Sequence, residues 1–135
     1  REQIYLFDFM RHAHFRHTDG SLRPVVKYLF AIPNGGHRHP VTAAKMKAAG
    51  VKPGVSDLFL AYPHQDKHGL WIELKVGKGK PSRDQLAWID SMVEVDYLAM
   101  VVWGWKSEVD SVDAYLGGLY TAAGVRLRIE QGRVV

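Results

Sequence analysis

The residues best suited to chemistry in this 135-residue sequence are an aspartate and a nearby glutamate-x-lysine pair. Asp57 directly precedes a predicted strand, and Glu73 and Lys75 lie within the next one. Because side chains alternate along a strand, Glu73 and Lys75 share one face of the sheet. Two hard carboxylate oxygens suit Mg²⁺ or Mn²⁺, and a lysine beside the ion can orient or deprotonate its water. These residue types therefore predict metal-dependent attack on a phosphate ester.

The register of the two strands decides whether these side chains can meet. If the connection over residues 63–69 is centred, Asp57 lies opposite Lys75. Glu73 then lies opposite Phe59, and Asp57 shares the face of the other two charged residues, about 5 Å from its partner. The other face then collects only aliphatic side chains, namely Leu58, Leu60, Ile72, Leu74 and Val76. This uniform apolar face supports the predicted register.

Two interpretations of the charged face remain open on this pattern alone. An aspartate opposite a lysine is also typical of a solvated sheet face with a cross-strand ion pair. For the catalytic interpretation, the backbone carbonyl of Leu74 supplies a further metal ligand between the two functional positions. Asp57 and Glu73 would then hold the ion together with this carbonyl, and Lys75 would lie beside the attacking water.

The charges around these residues favour the catalytic interpretation. Nine Lys and Arg but only three acids occur between residues 38 and 83, giving this segment +6 in a chain whose formal net charge is +4. Two of the three acids are Asp57 and Glu73, so a basic region surrounds an acidic pocket, as a polyanionic substrate requires. The candidates for phosphate contact are Arg38, Lys45, Lys78, Lys80 and Arg83. Simple solubility is the competing explanation for this basic run.

The elements that position these residues alternate between helices and strands. Apolar residues at three- and four-residue spacing predict an opening helix that includes Leu6, Phe7, Met10 and Ala13. Strands are predicted over residues 28–32, 58–62, 70–76 and 97–103, the last buried on both faces, with a further exposed strand over 125–129. Helices are predicted over 40–49 and 82–93, the second with a Ser82–Gln85 capping box, and a last helix is capped by Ser107. This order predicts an α/β domain with a mixed central sheet flanked by helices.

Composition and missing motifs exclude several classes of protein. No apolar run reaches the ~18 residues of a membrane span, and no secretory signal is visible. Without Cys there is no disulfide framework or cysteine nucleophile, and a cytoplasmic location is expected. The seven His lack zinc-site spacing, although His37 and His39 are placed best to assist proton transfer. No phosphate-binding glycine motif or serine-hydrolase elbow occurs, so no nucleotide cofactor is expected.

Four short motifs follow one another along the chain: FAIPNGG at 30–36, GVSDL at 54–58, GLWIELK at 69–75 and PSRDQ at 81–85. Together they closely resemble the VRR-NUC domain, a branch of the PD-(D/E)XK nuclease superfamily. Such domains occur free-standing in phage and bacteria and as the catalytic end of larger repair nucleases. The resemblance runs from about residue 2 to 116 and implies a single domain over 1–135 with a restriction-endonuclease-like αβββαβ core. The tail over 117–135 shows no family pattern, and a partner strand, a dimer arm or an added sequence all fit it.

The resemblance also assigns roles to individual residues. The motif's aspartate, glutamate and lysine correspond to Asp57, Glu73 and Lys75. Glu2 resembles an upstream acidic residue on the first helix, which implies that it reaches the ion directly or through water. Gln85 matches a glutamine that contacts the substrate or the lysine, and its capping-box role explains it equally well.

Other matched positions are less distinctive, and two depart from the family pattern. Asn34 fits the first motif, but a turn residue that tolerates positive φ is the alternative explanation. Ser56 stands where a proline often precedes the aspartate in the family. This difference removes no metal ligand. Asp96 replaces the usual glycine before a tyrosine, which affects only a turn.

The activity that the resemblance implies is Mg²⁺- or Mn²⁺-dependent endonucleolytic hydrolysis of DNA. Free-standing relatives imply a homodimer that acts on branched DNA such as Holliday junctions, in DNA repair or recombination, within a bacterial cell or a phage-infected host. A symmetric junction needs two paired nicks, which suits a dimer with two active sites. The alternatives are a nuclease of flap, single-strand-containing or plain duplex DNA, a DNA-binding module without turnover, and a phosphohydrolase of small substrates. No membrane partner is expected.

Overall fold

A computed structural model describes residues 1–33, 40–130 and 133–134 of the chain. The opening helix α1 (Glu2–Met10) buries Leu6 and Met10, as the apolar spacing predicts. A short hairpin follows, formed by β1 (His14–Arg16) and β2 (Leu22–Pro24), which the sequence pattern did not predict. A 3-10 turn over Val25–Lys27 then leads into the central sheet.

The central sheet contains four strands: β3 (Leu29–Ala31), β4 (Leu58–Leu60), β5 (Leu70–Lys75) and β6 (Leu98–Trp103). The strands lie side by side in this order, and the first three are antiparallel, whereas β6 runs parallel to β5. A parallel pair needs a crossover, and α3 (Arg83–Glu94) provides it. The remaining helices are α2 (Pro40–Ala48), between β3 and β4, and α4 (Trp105–Leu116), after β6. The predicted α/β class, with a mixed sheet flanked by helices, is confirmed.

The predicted register between β4 and β5 is wrong by two residues. Phe59 pairs with Trp71 rather than with Glu73. Continuing this register by one position places Asp57 opposite Glu73 and no longer opposite Lys75. Because the shift is an even number, every side chain stays on its predicted face. The correction therefore brings the two acidic residues closer together.

The cause of this shift is an earlier end of β4. The chain leaves the strand after Leu60, which pairs with Leu70, so the connection covers residues 61–69. Tyr62, predicted as the end of the strand, is buried in the core instead. At the other end of the connection, a Cβ on Gly69 would lie 2.9 Å from the carbonyl oxygen of Leu60. A glycine is therefore needed where the two strands converge.

The hydrophobic core lies between the sheet and the helices α1 and α4. It includes Leu6, Met10, Leu58, Leu60, Leu70, Ile72, Val109, Val112 and Leu116, all buried. The aliphatic face predicted for β4 and β5 is thus confirmed, except at Val76, which is 54% exposed because β5 ends at Lys75. Across the sheet, Trp71 stacks on Phe59 and meets Trp88 of α3 edge to face.

Two predicted elements after β5 differ from the structure. Most residues of β6 are half-buried rather than fully buried, although α3 and α4 both pack against the strand. The last helix begins at Trp105, two residues before Ser107, and its N-cap is Gly104. The predicted serine cap is therefore wrong. Among the described helices, none combines the length and apolarity that crossing a membrane requires.

The tail after α4 contributes to the core. Leu119 is fully buried, and Leu127 and Ile129 pack against the core residues. The predicted strand over 125–129 is wrong in its bounds, because β7 (Ile129–Glu130) begins where that prediction ends and pairs with β8 (Arg133–Val134).

Candidate active site

Glu73 is the acidic residue that the sheet buries most completely at this site, with 2% of its surface exposed. Its Oε2 accepts a hydrogen bond from Gln85 Nε2 at 3.1 Å and lies 3.5 Å from Lys75 Nζ. Its Oε1 is buried and receives no hydrogen bond from an N–H or hydroxyl group of the described residues, and the carboxyl of Asp57 lies next to Glu73. One oxygen is thus held by two donors, while the other is left for a cation.

Asp57 is fixed by the backbone of the neighbouring strand. Its Oδ2 accepts a hydrogen bond from the N–H of Leu74 at 3.0 Å, and its own carbonyl accepts one from Ile32 at 2.7 Å. These two bonds hold the residue between β3 and β5, opposite Glu73. The structure therefore brings Asp57, Glu73 and Lys75 together.

The electrostatics of this pair leave it short of positive charge. Burial, together with the adjacent carboxyl of Asp57, raises the pKa of Glu73 to about 7. The ammonium group of Lys75 lowers that pKa but does not offset the other two effects. A divalent cation would supply the missing charge, because it stabilises both carboxylates in their ionised form.

Gln85 takes part in both the helix cap and the site. The predicted capping box is confirmed: Ser82 Oγ accepts from the N–H of Gln85 at 3.1 Å, and Gln85 Oε1 accepts from the N–H of Ser82 at 2.8 Å. The Nε2 of the same amide donates to Glu73, rather than reaching Lys75. The two roles use different atoms of one side chain, so the first turn of α3 is tied directly to the carboxylate.

Glu2 lies at the junction of α1 and α4. Its Oε2 accepts a hydrogen bond from the backbone N–H of Trp105, the first residue of α4, at 3.0 Å. Gly104 has no side chain to cap that helix, so Glu2 satisfies one of its free N–H groups from another element. A capping role is thereby established, and the predicted contact with an ion stays a prediction.

The sequence analysis missed Glu108, a fully buried glutamate on α4. Within the part of the chain that the structure describes, neither of its carboxylate oxygens has a hydrogen-bond partner. Burial, followed by the negative charges of Asp57, Glu2 and Glu73, raises its pKa to about 8. Its spacing was the available signal, because a residue four positions before Val112 lies on the buried face of the helix.

The donor set fits a hard divalent cation that keeps much of its water. No group of three or more His, Asp or Glu within the described ranges is close enough to hold a metal ion. The oxygen donors are instead the carboxylates of Asp57 and Glu73, with the carbonyl of Leu74 as the predicted third ligand. Mg²⁺ commonly binds through one or two carboxylates and retains several water molecules, so this set suits it.

Comparison with known proteins supports the fold. No family model matches the sequence, and no curated protein is significantly similar to it. A solved structure described as a "VRR_NUC domain protein" is similar over 86% of this chain and 85% of that chain, with a TM-score of 0.71 and 26% sequence identity. The chain has the fold of a VRR-NUC domain. The resemblance that the four sequence motifs indicated is confirmed.

Four of the predicted phosphate-binding residues lie on the surface of the protein. Lys45, Lys78, Lys80 and Arg83 are all exposed. The loop that carries Lys78 and Lys80 is held by Trp103, whose Nε1 donates a hydrogen bond to the carbonyl of Gly79 at 2.7 Å. The other predicted contacts, Asn34, Arg38, His37 and His39, lie outside the described residues.

Proposed function

We propose that this VRR-NUC domain is a Mg²⁺- or Mn²⁺-dependent endonuclease that hydrolyses DNA phosphodiester bonds. The observation that carries the proposal is the unpartnered, buried Oε1 of Glu73, directly opposite Asp57. A buried acceptor without a donor is costly, and a cation between two carboxylates removes that cost. Asp57, Glu73 and the carbonyl of Leu74 would hold the ion.

Lys75 is the residue best placed to act on the attacking water. Its Nζ is anchored 3.5 Å from Glu73 Oε2, and 19% of its side chain is still exposed, so a substrate can reach it. When bound, the ion polarises a phosphoryl oxygen and lowers the pKa of its water. The lysine would orient that water, or accept its proton when neutral, and its ammonium form would offset charge on the phosphorus in the transition state.

The exposed cations around the site would bind the DNA backbone. The loop before α3 carries Lys78 and Lys80, and Arg83 is the first residue of the helix. Free backbone N–H groups at a helix N-terminus also favour phosphate. Lys45 on α2 would extend this proposed surface, and Arg38 stays a phosphate contact predicted from the sequence alone. Gln85 would keep the carboxylate of Glu73 turned toward the ion while the DNA binds.

We further propose that the substrate is branched DNA and that the protein acts as a homodimer. The support for both is the resemblance to free-standing VRR-NUC domains, together with the need for two nicks in a symmetric junction. A DNA-binding module without turnover is the second candidate. It is favoured by the lack of a three-carboxylate metal group among the described residues.

A cleavage panel separates these candidates. Linear, flap and four-way DNA would be incubated with the protein in Mg²⁺, Mn²⁺ or EDTA, and sedimentation would give the number of subunits. We expect metal-dependent cleavage with four-way DNA cut fastest, by a dimer. DNA binding without product in either metal would refute the nuclease and support the binding module.

A further inference from the structure

Glu108 is a buried carboxylate that the proposed reaction does not use. Its exposed surface is 0%, and both of its oxygens lack a hydrogen-bond donor among the described residues. Native proteins rarely leave a buried polar group unpaired, and a group that could be ionised is the most expensive case. Glu108 lies in the first turn of α4, where the helix dipole favours a negative charge, but that position does not supply the donors that its buried oxygens lack.

The surroundings of Glu108 are acidic. Glu2, Asp57 and Glu73 all act on it electrostatically, and each of them adds negative charge. The cation of this cluster, Lys75, is paired with Glu73, and no ion pair of the described residues includes Glu108. The two oxygens are therefore open to donors from outside the described polypeptide, such as the water molecules of a bound cation.

We propose that Glu108 is a positioning residue of the cation site that holds the water shell of the bound ion. This inference rests on the proposed function, because it concerns the ion that Asp57 and Glu73 would bind. Direct ligation is not the role assigned, since no three carboxylates of the described residues are close enough to share one ion. A hydrated Mg²⁺ or Mn²⁺ presents several O–H donors, which is what two unpaired carboxylate oxygens lack.

The test measures Mn²⁺ binding by calorimetry, without any DNA. Glu108→Gln keeps the shape and removes the charge, and Glu108→Met replaces the carboxylate with an apolar chain of similar length. Glu94→Gln is the matched control, because Glu94 is exposed at the end of α3. We expect both Glu108 variants to weaken Mn²⁺ binding by about 10- to 100-fold, as loss of an outer-shell partner commonly does, and the control to bind normally.

Thermal unfolding in EDTA separates this role from a purely structural one. A carboxylate that has no partner in the metal-free protein contributes nothing to stability there. Glu108→Met should therefore melt at the temperature of the wild type or above it, and should gain less stability from added Mn²⁺. If Glu108→Met does not fold, the Mn²⁺ affinity of Glu108→Gln relative to the wild type decides whether Glu108 supports the ion.

The outcomes distinguish this inference from the proposed function. If the wild type binds Mn²⁺ and Glu108→Gln binds it within twofold, the role of Glu108 is refuted and the nuclease proposal is untouched. If the wild type binds no Mn²⁺, both proposals are refuted. Weakened binding in both Glu108 variants, with a normal control, supports the inference.

Discussion

The strand pair β4–β5 and the junction of α1 with α4 each place two carboxylates at the site, but they supply them with donors very differently. On the strands, Glu73 has two donors on one oxygen and Asp57 has a backbone N–H. At the helix junction, Glu2 has one backbone donor and Glu108 has none. The fold itself supplies donors to the strand half and to Glu2, whereas Glu108 has none among the described residues.

The largest effect is expected from the strand half. Asp57→Asn and Glu73→Gln should each lower metal-dependent DNA cleavage by about 1,000-fold, because a metal site contributes several kcal/mol to the transition state. Cleavage rates of folded variants, checked by circular dichroism, measure this, and Glu94→Gln is the matched control. Cleavage at the wild-type rate by either variant would remove that residue from the site.

Lys75 separates metal binding from chemistry within the strand half. Lys75→Met should lower the cleavage rate by about 100-fold, the lower range for loss of a proton-transfer group, while Mn²⁺ affinity stays near that of the wild type. Single-turnover cleavage and calorimetry on the same preparation measure the two quantities. Loss of Mn²⁺ binding in this variant would show that the lysine supports the ion rather than the water.

Substitutions at Gln85 and Ser82 test whether the first turn of α3 contributes to catalysis or only to the stability of the helix. Both Gln85→Ala and Ser82→Ala break the capping box and should cost about 1 kcal/mol of unfolding free energy. Only Gln85→Ala also removes the contact with Glu73, so only this variant should lose cleavage, by about 10-fold. Urea unfolding and cleavage rates compare the pair. Equal losses of cleavage would leave the cap as the sole role.

The pH dependence of stability without metal tests one carboxylate from each half of the site. Folding raises the pKa of Glu73 from 4.5 to about 7 and that of Glu108 from 4.5 to about 8. Between these values the folded chain holds protons that the unfolded chain has released, so stability should fall as the pH rises from about 5 to 8. Urea unfolding in EDTA measures this slope, and Glu108→Gln should flatten it. A slope in Glu108→Gln equal to that of the wild type would contradict the contribution of Glu108.

Local patterns in the sequence predicted the elements of the strand half well. The alternating face of β5 and the Ser82–Gln85 spacing depend on neighbouring residues, so both could be identified without tertiary structure. The register could not, because it depends on Tyr62 leaving β4 to enter the core. The place of β6 in the sheet could not be predicted either, because its apolar run does not reveal that β5 is its one neighbour among the described strands.

The helix half shows where sequence reasoning fails for a physical reason. The spacing of Glu108 places it on the buried face of α4, but a lone acid among valines gives no sign of which charges it meets. Those charges come from residues far away in the chain, at positions 2, 57 and 73. Only the approach of α1 to the end of the sheet brings them together. The burial of Leu119 in the tail escaped prediction for the same reason.

The shared amide of Gln85 has a consequence for how this chain tolerates change. A glutamate at position 85 would satisfy the helix cap as well as glutamine does, but it would set a repelling acid against Glu73 where a donor now stands. Selection for helix stability and selection for catalysis therefore both act on the side chain at position 85. The two kinds of selection tolerate different substitutions there. A screen that scores folding alone would pass the glutamate, and a screen for catalysis would reject it.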